Sequence, residues 1–141
     1  MGQMKQSSFQ KIQNKEKRKN GIIAEDKAAF ILRKKGYDIL ARNVRFFGIE
    51  IDFIVKKKVQ DEYHYFFFEV KKTKQEHYYA GYKPFSIKQY KRYCIAIEKW
   101  HAELNKVKNS HIGLLLFNER SELIEYNPFY IQPTSFSSGL N

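Results

Sequence analysis

"GIEIDFIV", residues 48–55, and "YHYFFFEVKK", residues 63–72, are the segments whose pattern decides the fold. Both are rich in β-branched and aromatic residues, and the polar stretch around "KKVQDE" separates them, which predicts an antiparallel hairpin. Alternation along the first strand predicts an apolar set on its core face: Ile49, Ile51, Phe53 and Val55. Glu50 and Asp52 then lie together on the other face.

The second strand places Glu69 and Lys71 on one face, with Phe67. The neighbouring residues Phe66 and Phe68 point the opposite way. Because both faces carry large apolar side chains, the pattern predicts a central strand.

The register of the hairpin decides whether the charged residues of the two strands meet. Residues directly opposite each other in an antiparallel pair share a sheet face. Glu50 and Asp52 therefore lie on the same face as Glu69 and Lys71 only if even-numbered residues pair with odd-numbered ones, so that the two residue numbers of each pair sum to an odd value. A six-residue loop, 57–62, would pair residue 56 with residue 63 and satisfy this condition. A slip by one residue would place the charges on opposite faces.

Clustered carboxylates raise one another's pKa unless a cation lies between them. A hard divalent ion, Mg²⁺ or Mn²⁺, is therefore expected, with Asp52, Glu69 and Glu50 as metal ligands. Mg²⁺ takes oxygen ligands, keeps several waters and can activate one of them against a phosphate. Lys71 could position that water or stabilise developing charge. The alternative is a cross-strand ion-pair face exposed to water.

Residues 21–36, "GIIAEDKAAFILRKKG", show the apolar spacing of a helix that stops at Gly36. The predicted inner stripe contains Ile22, Glu25, Ala28, Ala29 and Leu32. A carboxylate in such a stripe needs a partner, so Glu25 is a fourth candidate acid. The alternative is an early-turn Glu25 stabilised by the helix dipole.

Other periodic segments complete the predicted domain. Residues 37–44 form a strand, a second helix starts at Ser86, and residues 111–117 and 122–126 form two more strands. The order of helix, three strands, helix and two strands predicts an α/β architecture, with helices packed against a mixed central sheet.

The acidic residues and the lysine together resemble a known nuclease motif. Helix-borne Glu25, then Asp52, then Glu69-Val70-Lys71 resembles the PD-(D/E)xK nuclease pattern, in the element order of its αβββαβ restriction-endonuclease-like core. More narrowly, residues 21–54 with "FFFEVKK" and "SIKQYKR" resemble the bacterial YraN family, uncharacterised proteins related to Holliday junction resolvases and regarded as endonucleases.

The resemblance implies a metal-dependent endonuclease with Glu25, Asp52, Glu69 and Lys71 as catalytic residues. Glu50 is a further acid of the family motif. The chain departs from the pattern at Ile51, where the superfamily name has Pro. A second departure is His111-Ile112-Gly113, where the narrower family usually has an Arg-Phe-Asp type of start.

Gln89 and Tyr93 resemble a Gln-x-x-x-Tyr motif of some nucleases in this superfamily, but Ser86-x-x-Gln89 also reads as a capping box. Basic and aromatic residues around this helix start predict a DNA-binding surface, because lysines bind phosphates and tyrosines stack on unpaired bases. The predicted DNA-binding residues are Lys72, Lys74, Tyr79, Lys83, Lys88, Gln89 and Arg92. The alternative is a solvated lysine face with core tyrosines.

Composition limits the class of protein. The 141 residues suit one domain, and the formal net charge of +11 favours a polyanionic partner. No segment has the length of a membrane span or the pattern of a signal peptide, so we expect a cytoplasmic protein without a membrane partner. The single cysteine, Cys94, excludes an internal disulfide and predicts a buried small side chain.

Three regions are predicted along the chain. Residues 1–20 form a basic flexible arm, residues 21–131 the nuclease-like domain, and residues 132–141 a flexible tail.

The leading hypothesis is hydrolysis of DNA phosphodiesters, with branched or partly single-stranded DNA as the expected substrate. A homodimer is also expected, because two-fold symmetry would suit a four-way junction. The main alternative is a non-catalytic nucleic-acid-binding module with the same fold. A membrane-surface protein ranks last, because the basic arm lacks an apolar face.

Overall fold

The structure is a computed structural model that describes residues 23–104 and 109–131. A first helix, α1, covers residues 23–34. The elements that follow are β1 (Asp38–Phe46), β2 (Ile49–Val59), β3 (Glu62–Lys72), α2 (Gln75–Tyr79), α3 (Ile87–Leu104), β4 (Ser110–Phe117) and β5 (Leu123–Ile131). The predicted element order is confirmed, with α2 as an unpredicted short helix. The predicted arm, residues 1–20, and tail, residues 132–141, lie outside the described residues.

One five-stranded sheet has the order β1-β2-β3-β4-β5. The strands β1, β2 and β3 pair antiparallel, β3 and β4 pair parallel, and β4 and β5 pair antiparallel. Parallel neighbours need a crossover connection, which α3 provides between β3 and β4. The predicted α/β fold with a mixed sheet and the restriction-endonuclease-like element order are therefore confirmed.

The core has one layer on each face of the sheet. Phe66 and Phe68 of β3 pack in a cluster with Leu32 of α1, whereas Phe67 packs with Tyr93 of α3. All three phenylalanines are fully buried, and each such ring contributes about 1.5–3 kcal/mol of transfer free energy. The prediction that β3 is a central strand is confirmed.

The C-terminal end of α1 directs the chain into β1. Gly36 has a φ of +92°, a conformation that favours glycine. The N–H of Tyr37 donates to the carbonyl of Leu32 at 3.0 Å, and the N–H of Gly36 donates to that of Arg33 at 3.0 Å. These two bonds form a Schellman motif, so the predicted helix stop is confirmed.

The second long helix, α3, starts at a side-chain cap. The Oγ of Ser86 accepts a hydrogen bond from the N–H of Gln89 at 3.0 Å. The helical spacing of Ile87, Cys94 and Ile97 predicts that all three face the core, but Ile87 is 74% exposed, while Cys94 is buried as predicted. No helix within the described ranges combines the length and the apolar character that a bilayer crossing requires.

The hairpin of β2 and β3 has a shorter turn than predicted. Lys56 lies opposite Tyr65 and Val59 lies opposite Glu62, so only Gln60 and Asp61 form the turn. Both have positive φ, at +51° and +69°, as in the two-residue turns that match strand twist. The residue numbers of each pair sum to an odd value, as predicted, but the predicted six-residue loop is wrong.

The predicted core face of β2 is also partly wrong, because the alternation breaks at Asp52. Ile51 packs in the cluster on the α3 side of the sheet, whereas Phe53 and Val55 pack on the α1 side. Asn43 of β1, between the residues paired with Ile51 and Phe53, has a φ of +53°. Asp52, between Ile51 and Phe53, therefore lies where β2 changes faces.

Candidate active site

The carboxylate of Asp52 lies where the backbone pairing of β2 and β3 ends. The ladder extends to Phe53 opposite Phe68. Beyond it, the N–H of Val70 donates to Oδ2 of Asp52 at 2.8 Å. This bond fixes the carboxylate between the two strands, and continuation of the register places it opposite Glu69.

Glu69 is held by three side chains. Its Oε2 accepts a hydrogen bond from Nε2 of Gln89 at 2.9 Å and lies 3.3 Å from Nζ of Lys71. The hydroxyl of Tyr93 donates to its Oε1. Glu69 is only 8% exposed, and buried carboxylates need such donors. The carboxylate therefore has a fixed orientation before any ligand binds.

Gln89 corrects one interpretation of the sequence. Ser86 caps the helix, but the Gln89 side chain donates to Glu69 at 2.9 Å and does not complete a capping box. The Gln89 side chain therefore supports the Glu69 carboxylate. The spacing alone did not decide between this role and the capping box.

The two acids interact strongly. Burial, followed by the negative charge of Glu69, raises the pKa of Asp52 to about 7. The Val70 N–H opposes this change, and the charge of Glu25 adds a smaller increase. The pKa of the Tyr93 hydroxyl is held well above its ordinary value by burial and by the charges of Glu69 and Asp52. The hydroxyl therefore stays protonated and donates its hydrogen bond.

Glu25 of α1 reaches the same region from the other side of the sheet. Its Oε1 accepts a hydrogen bond from Nδ2 of Asn43 at 2.5 Å. Glu25, Asn43, Glu50 and Asp52 line one cavity of about 300 Å³. The predicted partner for Glu25 is thus an amide of β1, and three of the four predicted acids surround one space.

Glu50 differs from the other acids in its environment. Its side chain is 79% exposed, and its Oε1 lies 3.4 Å from Nη2 of Arg45, the residue that opposes it on β1. The change of faces at Asp52 separates the Glu50 side chain from the carboxylate pair. Glu50 therefore lies at the rim of the acidic cavity, and the buried pair is Asp52 and Glu69.

The donor chemistry of this pair suits a hard cation. Asp52 and Glu69 supply oxygen ligands, and their mutual repulsion would fall if a divalent ion lay between them. Among the described residues, no three His, Cys, Asp or Glu side chains form a group that could hold a metal ion. Mg²⁺ often binds through one or two carboxylates with water and substrate phosphate, so the two-carboxylate set fits such an ion.

The predicted DNA-binding residues divide into two groups. The exposed ones are Lys74, Tyr79, Lys83, Lys88 and Arg92. Lys72 donates to Oγ of Ser121 at 3.1 Å, at the turn between β4 and β5, and Gln89 contacts Glu69. The first group can contact a polyanion directly, whereas Lys72 and Gln89 have contacts within the protein.

Three features of the site could not be identified from residue types. The Val70 N–H is a backbone group, and every residue except proline has one. Asn43 and Arg45 lie on β1, where neither follows a motif. The third feature is the hydrogen bond of Tyr93 to Glu69. The spacing from Gln89 points to Tyr93 itself, but this bond depends on how α3 packs on the sheet.

Residues 24–124 match the model of a family described as uncharacterised protein family UPF0102. The matched segment contains the four predicted catalytic residues, Glu25, Asp52, Glu69 and Lys71. No curated protein matches the chain.

Proposed function

The chain belongs to the uncharacterised protein family UPF0102, the YraN family that its motifs resemble, and we propose that it is a metal-dependent endonuclease that hydrolyses DNA phosphodiesters. One observation carries the proposal: Asp52 and Glu69 meet where two strands separate, and Lys71 lies 3.3 Å from Glu69. Paired carboxylates beside a lysine match the chemistry of phosphodiester hydrolysis.

Asp52 and Glu69 would hold Mg²⁺ or Mn²⁺, which, when bound, would coordinate a phosphate oxygen and lower the pKa of a bound water. The protein's own contribution is orientation. Gln89 and Tyr93 hold Glu69, and the Val70 N–H holds Asp52, so neither carboxylate must reorganise when substrate arrives.

Lys71 supplies positive charge beside this pair. Its ammonium group is within 3.3 Å of Glu69 Oε2 and has further N–H donors for a phosphate oxygen or a water. A cation at this position stabilises the charge that develops on phosphate during hydrolysis. Lys71 is therefore assigned to transition-state stabilisation and water orientation.

Glu25 acts from the other side of the acidic cavity. The Asn43 amide fixes its carboxylate by a 2.5 Å hydrogen bond, and the cavity that it lines also contains Asp52. We assign Glu25 a positioning role for water or a metal-bound group in this space.

The substrate is DNA, for which the net charge of +11 provides long-range attraction. Branched or partly single-stranded DNA is the proposed substrate class, because exposed Tyr79, 74% accessible, can stack on an unpaired base. Exposed Lys74, Lys83 and Lys88 would contact the phosphates around it.

The test is a panel of labelled duplex, single-stranded, flapped and four-way DNA substrates incubated with Mg²⁺ or Mn²⁺. Asp52→Asn and Lys71→Met should each lower the cleavage rate by at least about 100-fold, since a removed electrostatic contact to the transition state costs about 2.7–4 kcal/mol. The matched control is Asp61→Asn at the hairpin turn, which makes the same chemical change and should cleave like wild type. Wild-type rates in both site variants would contradict the assignment.

A non-catalytic DNA-binding module is the second candidate. It is favoured by the fact that both oxygens of Glu69 already have protein partners. It predicts salt-sensitive binding without metal-dependent cleavage on the whole panel.

A further inference from the structure

A second cavity lies beside the acidic one, and we propose that it binds the DNA backbone phosphate next to the scissile phosphate. Its volume is about 140 Å³, and Arg45, Gln89 and Arg92 are among the residues that line it. The proposal rests on the proposed function, because it assigns a neighbouring subsite to the same substrate strand.

The two cavities share a wall and differ in charge. Glu50 lines both of them. The acidic cavity also contains Glu25 and Asp52, whereas the second cavity contains two arginines, Arg45 and Arg92. Consecutive phosphates of a strand are joined by one sugar, so a strand with one phosphate at the carboxylates must place the next phosphate close by. The basic cavity offers a complementary charge for it.

Arg45 is held at this cavity but retains free donors. Its Nη1 donates to the carbonyl of Gly48 at 3.3 Å, and its Nη2 lies 3.4 Å from Glu50 Oε1. Both distances exceed the usual 2.7–2.9 Å of a charge-assisted bond, and a guanidinium has five N–H donors. A phosphate can therefore bind Arg45 without displacing a strong internal contact.

Arg92 faces the same cavity from α3. Within residues 23–104 and 109–131 its guanidinium group forms no hydrogen bond or ion pair with another described residue. Two arginines from different elements can bind the oxygens of one phosphate from two directions. Gln89 lines this cavity and also donates to Glu69, so one side chain joins the subsite to the carboxylate pair.

The first test measures DNA binding without metal, so that it does not depend on cleavage. The double variant Arg45→Gln/Arg92→Gln should bind single-stranded or branched DNA about 10-fold more weakly than wild type at moderate salt. The slope of log K against log salt concentration is negative, and its magnitude should decrease by about 0.7–0.9, which corresponds to the loss of one phosphate contact. The matched control is Arg33→Gln/Lys34→Gln on α1, which removes the same charge from exposed residues and should leave the slope unchanged. Equal losses in both double variants would overturn the subsite, since overall charge would then explain them.

The second test places a single neutral methylphosphonate linkage next to the scissile phosphate. Wild-type kcat/KM should fall about 10-fold, and the double variant should show no additional loss on this DNA, because the two changes remove the same contact. Independent losses would overturn the proposal.

The two tests separate the subsite from the proposed function. Cleavage by wild type with an unchanged salt slope in Arg45→Gln/Arg92→Gln would refute the subsite and retain the nuclease. A smaller slope in a protein that cleaves no substrate would retain the phosphate subsite and refute the nuclease.

Discussion

At Asp52, two opposing electrostatic effects meet. The Val70 N–H favours the charged carboxylate, but burial and the neighbouring Glu69 raise the pKa of Asp52 to about 7. A small basic protein thus keeps two adjacent acids in a partly enclosed space. This arrangement is unfavourable without a cation, which is the physical reason to expect that a divalent ion binds there.

A second titratable pair lies on β3 and β4. The rings of His64 and His111 stack with centroids 5.1 Å apart, and Nδ1 of His64 is 2.8 Å from Nε2 of His111. Phe66 and Phe129 pack against the His111 ring. Burial, followed by the charge of His64, lowers the pKa of His111 to about 4.

We predict that His111→Leu reduces the loss of folding stability in mild acid. Unfolded His111 titrates near 6.5, but in the folded protein its pKa is about 4, so the unfolded chain binds more protons between these values. Wild-type stability therefore falls as the pH decreases from about 6.5 to 4. Because His111 is partly exposed, we expect a contribution on the order of 1–2 kcal/mol. Urea denaturation at pH 7 and pH 4.5 measures it, and equal pH dependence in both proteins would refute it.

At the scale of the elements, the turn of the β2–β3 hairpin determines which acids meet. The six-residue loop would have placed Glu50 opposite Glu69. With the two-residue turn of Gln60 and Asp61, the pairing moves by two positions, and Asp52 takes that place. The paired residue numbers sum to an odd value in both registers, which explains why Asp52 was predicted on the face of Glu69 although the wrong acid was placed opposite it.

The pairing of β3 with β4 depends on a glycine. Gly113 lies opposite Phe68, and an added Cβ would lie 2.5 Å from Cε1 of the Phe68 ring. The ring is fully buried, so it has little room to move. The absence of a side chain at residue 113 therefore lets Phe68 fill the core on the α1 side.

Gly113→Ala should lower the free energy of unfolding by about 1–3 kcal/mol, the usual cost of overpacking a core. In Phe68→Leu/Gly113→Ala the total loss should be smaller than the sum of the two single losses, because the smaller side chain removes the clash. Urea denaturation of the four proteins provides the measurement. Additive losses would show that the Phe68 ring is not the cause.

At the scale of the whole molecule, the candidate site joins elements that are distant in sequence. It combines Glu25 of α1, Asp52 of β2, Glu69 of β3, and Gln89 and Tyr93 of α3. None of these elements forms the site alone. A ligand bound there would consequently stabilise the complete fold against unfolding.

Mg²⁺ should therefore raise the melting temperature of wild type. At a free concentration of ten times Kd, the added stability is about 1.4 kcal/mol, which corresponds to several degrees for a domain of this size. Asp52→Asn should lose this shift, while Asp61→Asn should retain it. Differential scanning calorimetry with and without Mg²⁺ provides the test, and an equal shift in all three proteins would place the metal elsewhere.

The sequence by itself determined the features that depend on local patterns. Alternation identified β2 and β3, helical spacing identified α1 with Ala28, Ala29 and Leu32 on its inner face, and the Glu69-Val70-Lys71 motif identified the strand end that carries the acid and the lysine. These properties follow from backbone geometry, which fixes side-chain direction within one element.

The tertiary structure alone decided which side chains meet. Positive φ at Gln60 and Asp61 sets the register, and positive φ at Asn43 accompanies the change of faces at Asp52. Packing of α3 on the sheet brings Gln89 to Glu69. Residue types only weakly specify turn length and left-handed backbone positions at residues other than glycine, and contacts between distant elements depend on both.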